Sequence, residues 1–344
     1  MAVITNVKRR SLLAVFAVAP AWVNAATQGN ESERNTTPLP TLKYTDSVVT
    51  DSSTLRTIGV RIRLPAEKKS AGLILYTPGL GGGLSSGRAW CETWQSAGWI
   101  VVTLSHPVTN DSVWDTKHHD FQTNLNHALA PEQYGLRVKD CSCVLTHFLS
   151  HPDFKSYIDP ARIGIAGHSF GALTVQTITG QSLGNRDLRD PRIRAAIAFS
   201  PGAVSLERAR AMSSVFIPFF SITGDQDQFV TFRQGKQSMR LGMTLDKRLM
   251  IHAQLPPGRK QLLIMANADH MTFAGEPVDP DRYSRDVKLP ASAEYAQWTR
   301  ISEMTNAFWK YYLPDLREPE QFSQSTYQKI LSSYQSDGDQ LRFD

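Results

Sequence analysis

The stretch Arg162-Ile163-Gly164-Ile165-Ala166-Gly167-His168-Ser169-Phe170-Gly171-Ala172 decides the reading of this 344-residue chain. Its first part is an apolar run without polar alternation, as expected of a strand buried on both faces. Its second part is small and helix-compatible. The junction spells Gly-x-Ser-x-Gly, a strand-turn-helix elbow that lifts a serine hydroxyl clear of a sheet. Gly167 and Gly171 have a steric reason, because side chains at so sharp a turn would collide with neighbouring backbone.

Working outward, residues 57–64 alternate apolar and charged side chains as a half-buried, edge-region strand does. Leu73-Ile74-Leu75-Tyr76 is apolar without alternation and runs into Thr77-Pro78-Gly79-Leu80-Gly81-Gly82-Gly83, a tight loop. Helical spacing follows over 88–97, then a β-branched run at 100–104 that stops at Ser105-His106-Pro107. Residues 108–130 lack a clean period and read as a long loop. Pro131 opens a helix to about residue 149, with Tyr134, Val138, Cys141, Leu145 and Phe148 along its apolar side. Further strands are expected at 195–199, 216–223 and 260–266, and helices at 171–179, 206–212 and 291–312. The repeated β-α-β order predicts an α/β domain over 51–316: one open, mostly parallel sheet with helices on both faces. Residues 317–344 form a polar tail, with a loosely packed helix as its expected form.

Composition agrees with a globular chain. With 41% hydrophobic residues, 20% charged residues and three cysteines, it is neither disordered, collagenous nor a disulfide-built miniature. Lys plus Arg number 37 against 32 acids, but Lys8, Arg9 and Arg10 crowd the N-terminus and leave a body close to neutral. No basic stripe supports nucleic-acid binding. The start reads as a signal peptide over 1–25: a basic cluster, an apolar run over 12–23 and Val23-Asn24-Ala25 as a small-residue cleavage pattern. That run is too short for a membrane-crossing helix, which takes ~20 residues, and no transmembrane segment is expected. Residues 26–50 read as a flexible lead-in. Arg9-Arg10 before Ser11-Leu12-Leu13 fits either the twin-arginine export motif or an ordinary secretory start. Both point to an exported, periplasmic or secreted bacterial protein.

A serine hydroxyl at neutral pH needs a general base within hydrogen-bond reach, itself oriented by a carboxylate. After an elbow of this kind the expected chain order is Ser, acid, His. His270, in Asn267-Ala268-Asp269-His270-Met271, follows a strand and is the expected base, whereas His252 falls in a polar connection. In Ile222-Thr223-Gly224-Asp225-Gln226-Asp227-Gln228-Phe229-Val230 both Asp225 and Asp227 are available as the acid. Gly-x-x-Asp-x-x-Val favours Asp227, with Asp225 as a turn residue. Loops at strand C-termini gather at one edge of a parallel sheet, so the three groups can converge. The backbone N–H groups of Phe170 and Leu80 are the expected oxyanion donors. The glycine loop fits neither nucleotide-binding pattern. His118-His119-Asp120 gives no metal site, since adjacent histidines in an extended segment point apart and no fourth ligand follows. Trp90, Trp94 and Trp99 read as core, with Trp114 and His106 as candidate pocket residues.

Pro78-Gly79-Leu80-Gly81-Gly82, the elbow Gly-His-Ser-Phe-Gly and the settings of Asp227 and His270 resemble the α/β-hydrolase superfamily. Within it they are similar to the platelet-activating-factor acetylhydrolase and dienelactone-hydrolase-like group of exported bacterial esterases. The likeness covers about residues 55–315. It implies the α/β-hydrolase fold and ester hydrolysis through an acyl-serine intermediate, with no cofactor and a small-molecule or lipid-like ester as substrate. Ala172 replaces a second glycine often seen after the elbow, and the Asp227-to-His270 interval is long; both leave the substrate pocket open. An amidase, peptidase or acyltransferase on the same fold is the alternative, with a hydrolase-shaped binding protein as the non-catalytic one. The superfamily sheet order would put the helices of Cys91 and of Cys141 and Cys143 on opposite faces. Side chains two apart in a helix also diverge, so three unpaired thiols are expected, with Cys141 more buried than Cys143.

Overall fold

The computed structural model describes residues 2–3, 44–67, 70–285, 287–318 and 322–343. Apart from residues 2–3, the expected signal peptide and its cleavage point lie outside the described residues. The main sheet holds β1 (Ala2–Val3), β2 (Tyr44–Asp51), β3 (Arg56–Arg63), β4 (Ala71–Thr77), β5 (Ile100–Ser105), β6 (Ile158–His168), β7 (Ala195–Phe199), β8 (Phe219–Gln226), β11 (Lys260–Asp269) and β13 (Gln340–Phe343). Their order is β1-β2-β3-β5-β4-β6-β7-β8-β11-β13. The central run from β5 to β11 is parallel, and the flanking strands are antiparallel. This is the α/β class with a mostly parallel sheet. The parallel strands are the sequence's continuous apolar runs, because both of their faces are covered.

The helices are α1 (Arg88–Ser96), α2 (Phe121–Ala128), α3 (Pro131–Ser150), α4 (Pro152–Lys155), α5 (Phe170–Thr179), α6 (Leu206–Arg210), α7 (Leu245–Gln254), α8 (Ala291–Tyr312) and α9 (Gln324–Tyr334). Two cores separate the faces of the sheet. On one, Val138, Cys141, Leu145 and Phe148 of α3 pack with Val175 and Ile178 of α5 and Ile251 of α7. On the other, Trp90, Cys91 and Trp94 of α1 pack with Trp309 of α8 and Tyr327 of α9, and Trp99 joins them. Helices therefore cover both faces. Cys91 and Cys141 lie in different cores; all three cysteines are free, with Cys141 buried and Cys143 half-buried. Among the described residues no helix is long and apolar enough to cross a membrane.

Several segments differ from the sequence expectation. Residues 44–50, assigned to the lead-in, form with Asp51 the strand β2, which pairs along its whole length with β3, so β3 is interior rather than an edge. Their polar alternation hides a strand whose outer face is wet. Residues 108–130 hold a 3-10 turn (Asp111–Trp114) and α2, capped by the Asp120 side chain on the Thr123 N–H, rather than one loop. The strand expected from 216 begins at Phe219, and the helix expected over 206–212 ends at Arg210, followed by a 3-10 turn. His252 is not in a polar connection but buried in α7. The tail is not a loose helix alone: α9 buries Tyr327 and Leu331, and β13 closes the sheet against β11. A second sheet, β10-β9-β12, is built from β9 (Phe229–Gln234), β10 (Gln237–Gly242) and β12 (Tyr283–Ser284). Val230 and Phe232 of β9 pack with Leu80, Trp114, Phe121 and Phe170, next to the C-terminal ends of the parallel strands.

Candidate active site

Ser169 sits at the elbow between β6 and α5, with φ 56° and ψ −114°. A non-glycine residue held there stores ~1–3 kcal/mol of strain, which the surroundings must hold in place. They do so with backbone: the Ser169 N–H donates to the Phe199 carbonyl at 3.0 Å. The glycines behave as the sequence requires. A Cβ on Gly171 would come within 1.9 Å of the Thr77 carbonyl oxygen, and one on Gly167 within 2.7 Å of the Gly171 backbone.

His270 opens the 3-10 turn after β11, whose start is tied by the Asp269 carboxylate accepting the Thr272 N–H at 2.9 Å. Its Nε2 lies 2.8 Å from Ser169 Oγ, and its Nδ1 lies 2.9 Å from Asp227 Oδ1. Asp227 is fully buried just beyond β8, and its other oxygen accepts the Thr223 hydroxyl at 2.8 Å. Asp225, half-buried two residues earlier, is not the partner of His270. Burial pushes the Asp227 carboxyl up, but the Arg248 guanidinium and the His270 hydrogen bond outweigh it and hold the group well below the ordinary carboxylate range.

Arg248, on α7, is a component that the sequence did not reveal. Its Nη2 lies 2.9 Å from Asp227 Oδ1 and 3.1 Å from His270 Nδ1. Its other nitrogens donate to the carbonyls of Asp227 and Ser200, fixing the ends of β7 and β8. Since the ionised Asp227 carboxylate can only accept, Nδ1 carries its proton toward it, which leaves Nε2 free to accept from Ser169. His168 adds a second tie. Its Nε2 donates to the His270 carbonyl at 2.9 Å, and burial, with His270 beside it, keeps it well below the usual histidine range and neutral. It occupies a variable position of the elbow pattern, so no sequence signal marks it.

The loop from Thr77 runs against the elbow: a Cβ on Gly79 would lie 3.4 Å from Ser169 Cβ. Neither the Leu80 nor the Phe170 N–H has an acceptor among the described residues. Arg137 of α3 pins this region from below. Its guanidinium donates to Thr77 Oγ1 at 2.9 Å, the Pro78 carbonyl, Thr109 Oγ1 at 2.6 Å and Thr174 Oγ1 at 3.0 Å. It also stacks 4.7 Å from the Phe170 ring. Thr109 in turn accepts the Gly81 N–H at 2.9 Å through its carbonyl, so the peptides that flank the one carrying the Leu80 N–H are both held. Burial pulls the Arg137 pKa down to about 10, which still leaves it cationic at neutral pH. The network continues through Thr77 Oγ1 to His106 Nε2 at 2.8 Å, and from His106 Nδ1 to Asp140 at 2.9 Å. Arg56 clamps Asp140 with two 2.8 Å bonds. The only sequence sign of Arg137 and Asp140 is that both interrupt the apolar side of α3.

Two spaces meet at Ser169. One is a polar cleft of about 630 Å³ between the glycine loop and the turn after His270. The other is an apolar recess of about 190 Å³ over Phe170 and β9. The expected pocket residues line neither. His106 is buried within the network just described, because its ring is needed to bridge Thr77 and Asp140. Trp114 backs the glycine loop, its Nε1 donating to the Gly81 carbonyl at 3.0 Å and its ring stacked on Phe121. Among the described residues no group of three or more His, Cys, Asp or Glu is arranged to hold a metal ion, and His118 and His119 are exposed. Compared with protein-family models and with curated protein sequences, the chain matches none.

Proposed function

We propose that the protein is a serine hydrolase of the α/β-hydrolase superfamily that cleaves carboxylic esters, and that it works outside the cytoplasm. The observation that carries this reading is the unbroken relay of hydrogen bonds from Ser169 Oγ through His270 to Asp227, at 2.8 and 2.9 Å. Ser169 attacks the ester carbonyl and passes its proton to His270 Nε2. The imidazolium so formed faces Asp227, whose depressed pKa keeps it a carboxylate. The Leu80 and Phe170 N–H groups receive the developing oxyanion. Their orientation is fixed in advance, so they need no reorganisation as charge appears. His270 then returns the proton to the departing alkoxide, leaving an acyl-serine, and water repeats the sequence to release the acid. Arg137 and Arg248 act as positioning residues, the first on the oxyanion loop and the second on the acid and its strand ends.

Fluorophosphonate treatment of the full chain tests this directly. Label should appear on Ser169, vanish in Ser169→Ala, and compete with p-nitrophenyl ester turnover. Product analysis with water and with alcohol as acceptors distinguishes hydrolysis from acyl transfer. Label on another residue would overturn the assignment.

A further inference from the structure

Ser169 opens onto two unlike spaces, and their difference bears on what the site accepts. The polar cleft is walled by the glycine loop and by Met271, Ala274 and Glu276 of the turn that follows His270, with Asp111 and Arg282 on its lining. The recess is walled by Leu173, Leu241, Met243 and Phe170 itself, and it shares Val230 and Phe232 with the cleft. Resting on the serine-hydrolase reading above, we propose that the recess takes a short saturated acyl group and the cleft takes a polar alcohol. At ~30 Å³ per small heavy atom, the recess holds an acyl chain of about six carbons.

His270 must protonate the leaving oxygen and borders both spaces, but Met271 and Ala274 of the turn that carries it wall the polar cleft alone, and the alcohol is assigned to that side. Water must later approach the acyl-serine from the side the alcohol vacated, and polar walls suit it. Phe170 and Leu173 lie one turn apart on α5, directly after the nucleophile, and bound the apolar side where the acyl chain remains attached. Met243 forms part of the wall: its Sδ lies where a Cβ on Gly202 would come within 2.4 Å.

The test is the rate at which Ser169 is labelled by alkylphosphonofluoridates that share a methoxy group and differ in the phosphorus-bound alkyl chain, followed by mass spectrometry. The rate should rise from methyl to butyl or hexyl and fall about tenfold at octyl, the scale on which a filled apolar pocket rejects extra methylenes. Met243→Ala should restore octyl labelling to near the hexyl rate. Leu241→Trp should slow butyl labelling more than methyl labelling and so lower the ratio of the two rates, which keeps the test alive should the first variant fold poorly. In a crystal structure of the butyl adduct the chain should lie against Leu173 and Leu241. Rates that climb through octyl, indifference to both substitutions, or an alkyl chain in the polar cleft would overturn the division while sparing the nucleophile. Absence of label from every reagent would refute the nucleophile, and the division with it.

Discussion

Replacing Arg137 with methionine keeps the apolar stem of the side chain and removes the cation that underlies the oxyanion loop. Four acceptors lose their donor: the hydroxyls of Thr77, Thr109 and Thr174, and the Pro78 carbonyl. Thr77 still reaches His106 and Thr174 still reaches the Phe170 carbonyl, whereas the buried Thr109 hydroxyl has no other bond among the described residues. The Pro78 carbonyl has no such substitute. One orphaned buried carbonyl costs about 1–3 kcal/mol, and losing bonds to a charged donor adds to it, while relief from burying a cation offsets part. A net destabilisation of about 2–4 kcal/mol is expected. Catalysis should suffer separately. Deleting an oxyanion donor outright costs ~10²–10³ in kcat, and here the Leu80 amide is misplaced rather than deleted, so a loss of about 10–100-fold is expected. KM should change little, because the ground-state ester makes weaker use of that amide. Arg137→Lys restores charge but not the planar fork, so it should recover more stability than kcat. The assay is kcat and KM on a p-nitrophenyl ester alongside a urea titration of each variant. A folded Arg137→Met protein with kcat within about twofold of the parent would refute the role of the guanidinium in orienting the loop.

Asp227→Asn should lower kcat by about 10⁴ by losing the orienting carboxylate, whereas Asp225→Asn should leave steady-state rates within about threefold; equal losses would mean that the acid is misassigned. Ser169→Gly should melt higher than Ser169→Ala by about 1–2 °C, because glycine tolerates φ 56° and alanine does not; calorimetry showing the reverse order would remove the case for strain at the elbow. His106 is pulled down to about 4 by burial and by Arg137, against the opposing pull of Asp140. Its unfolded counterpart titrates near ~6.5, so between those values only the unfolded chain takes up the proton. Stability is then full above about pH 6.5 and falls by about 3 kcal/mol as the pH drops toward 4. Urea titrations of wild type and His106→Gln across that range should show a shallower slope for the variant, and matching slopes would exclude His106 as the source.

How much of this was legible in the sequence depends on how local each feature is. The parallel strands were readable because burial on both faces leaves no polar residue in runs such as 73–76 and 163–166. The elbow was readable because its glycines answer a constraint that their immediate neighbours impose. β2 and β13 were not, since a strand with one wet face, or only four residues long, carries little apolar signal. Order along the chain pointed to Ser169, His270 and an aspartate, Asp227 ahead of Asp225, and the fold joins Ser169, His270 and Asp227 by hydrogen bonds. Arg248 and His168 were invisible, and Arg137 showed only as a break in the apolar side of its helix, for a common reason. Each acts on backbone carbonyls and side chains brought near only by the fold, and nothing beside them in sequence marks a cation or an imidazole destined for burial.

The bond from His168 to the His270 carbonyl joins the residue beside Ser169 to His270 itself. A fluctuation that lifts the turn after β11 away from the sheet must therefore either break that bond or pull on the elbow. Partial openings in which the serine stays in place while the histidine swings out are thereby disfavoured, and amides at both sites should exchange with solvent together rather than in sequence. Heat inactivation of such a pair should follow the cooperative loss of the whole sheet, with little activity lost before it.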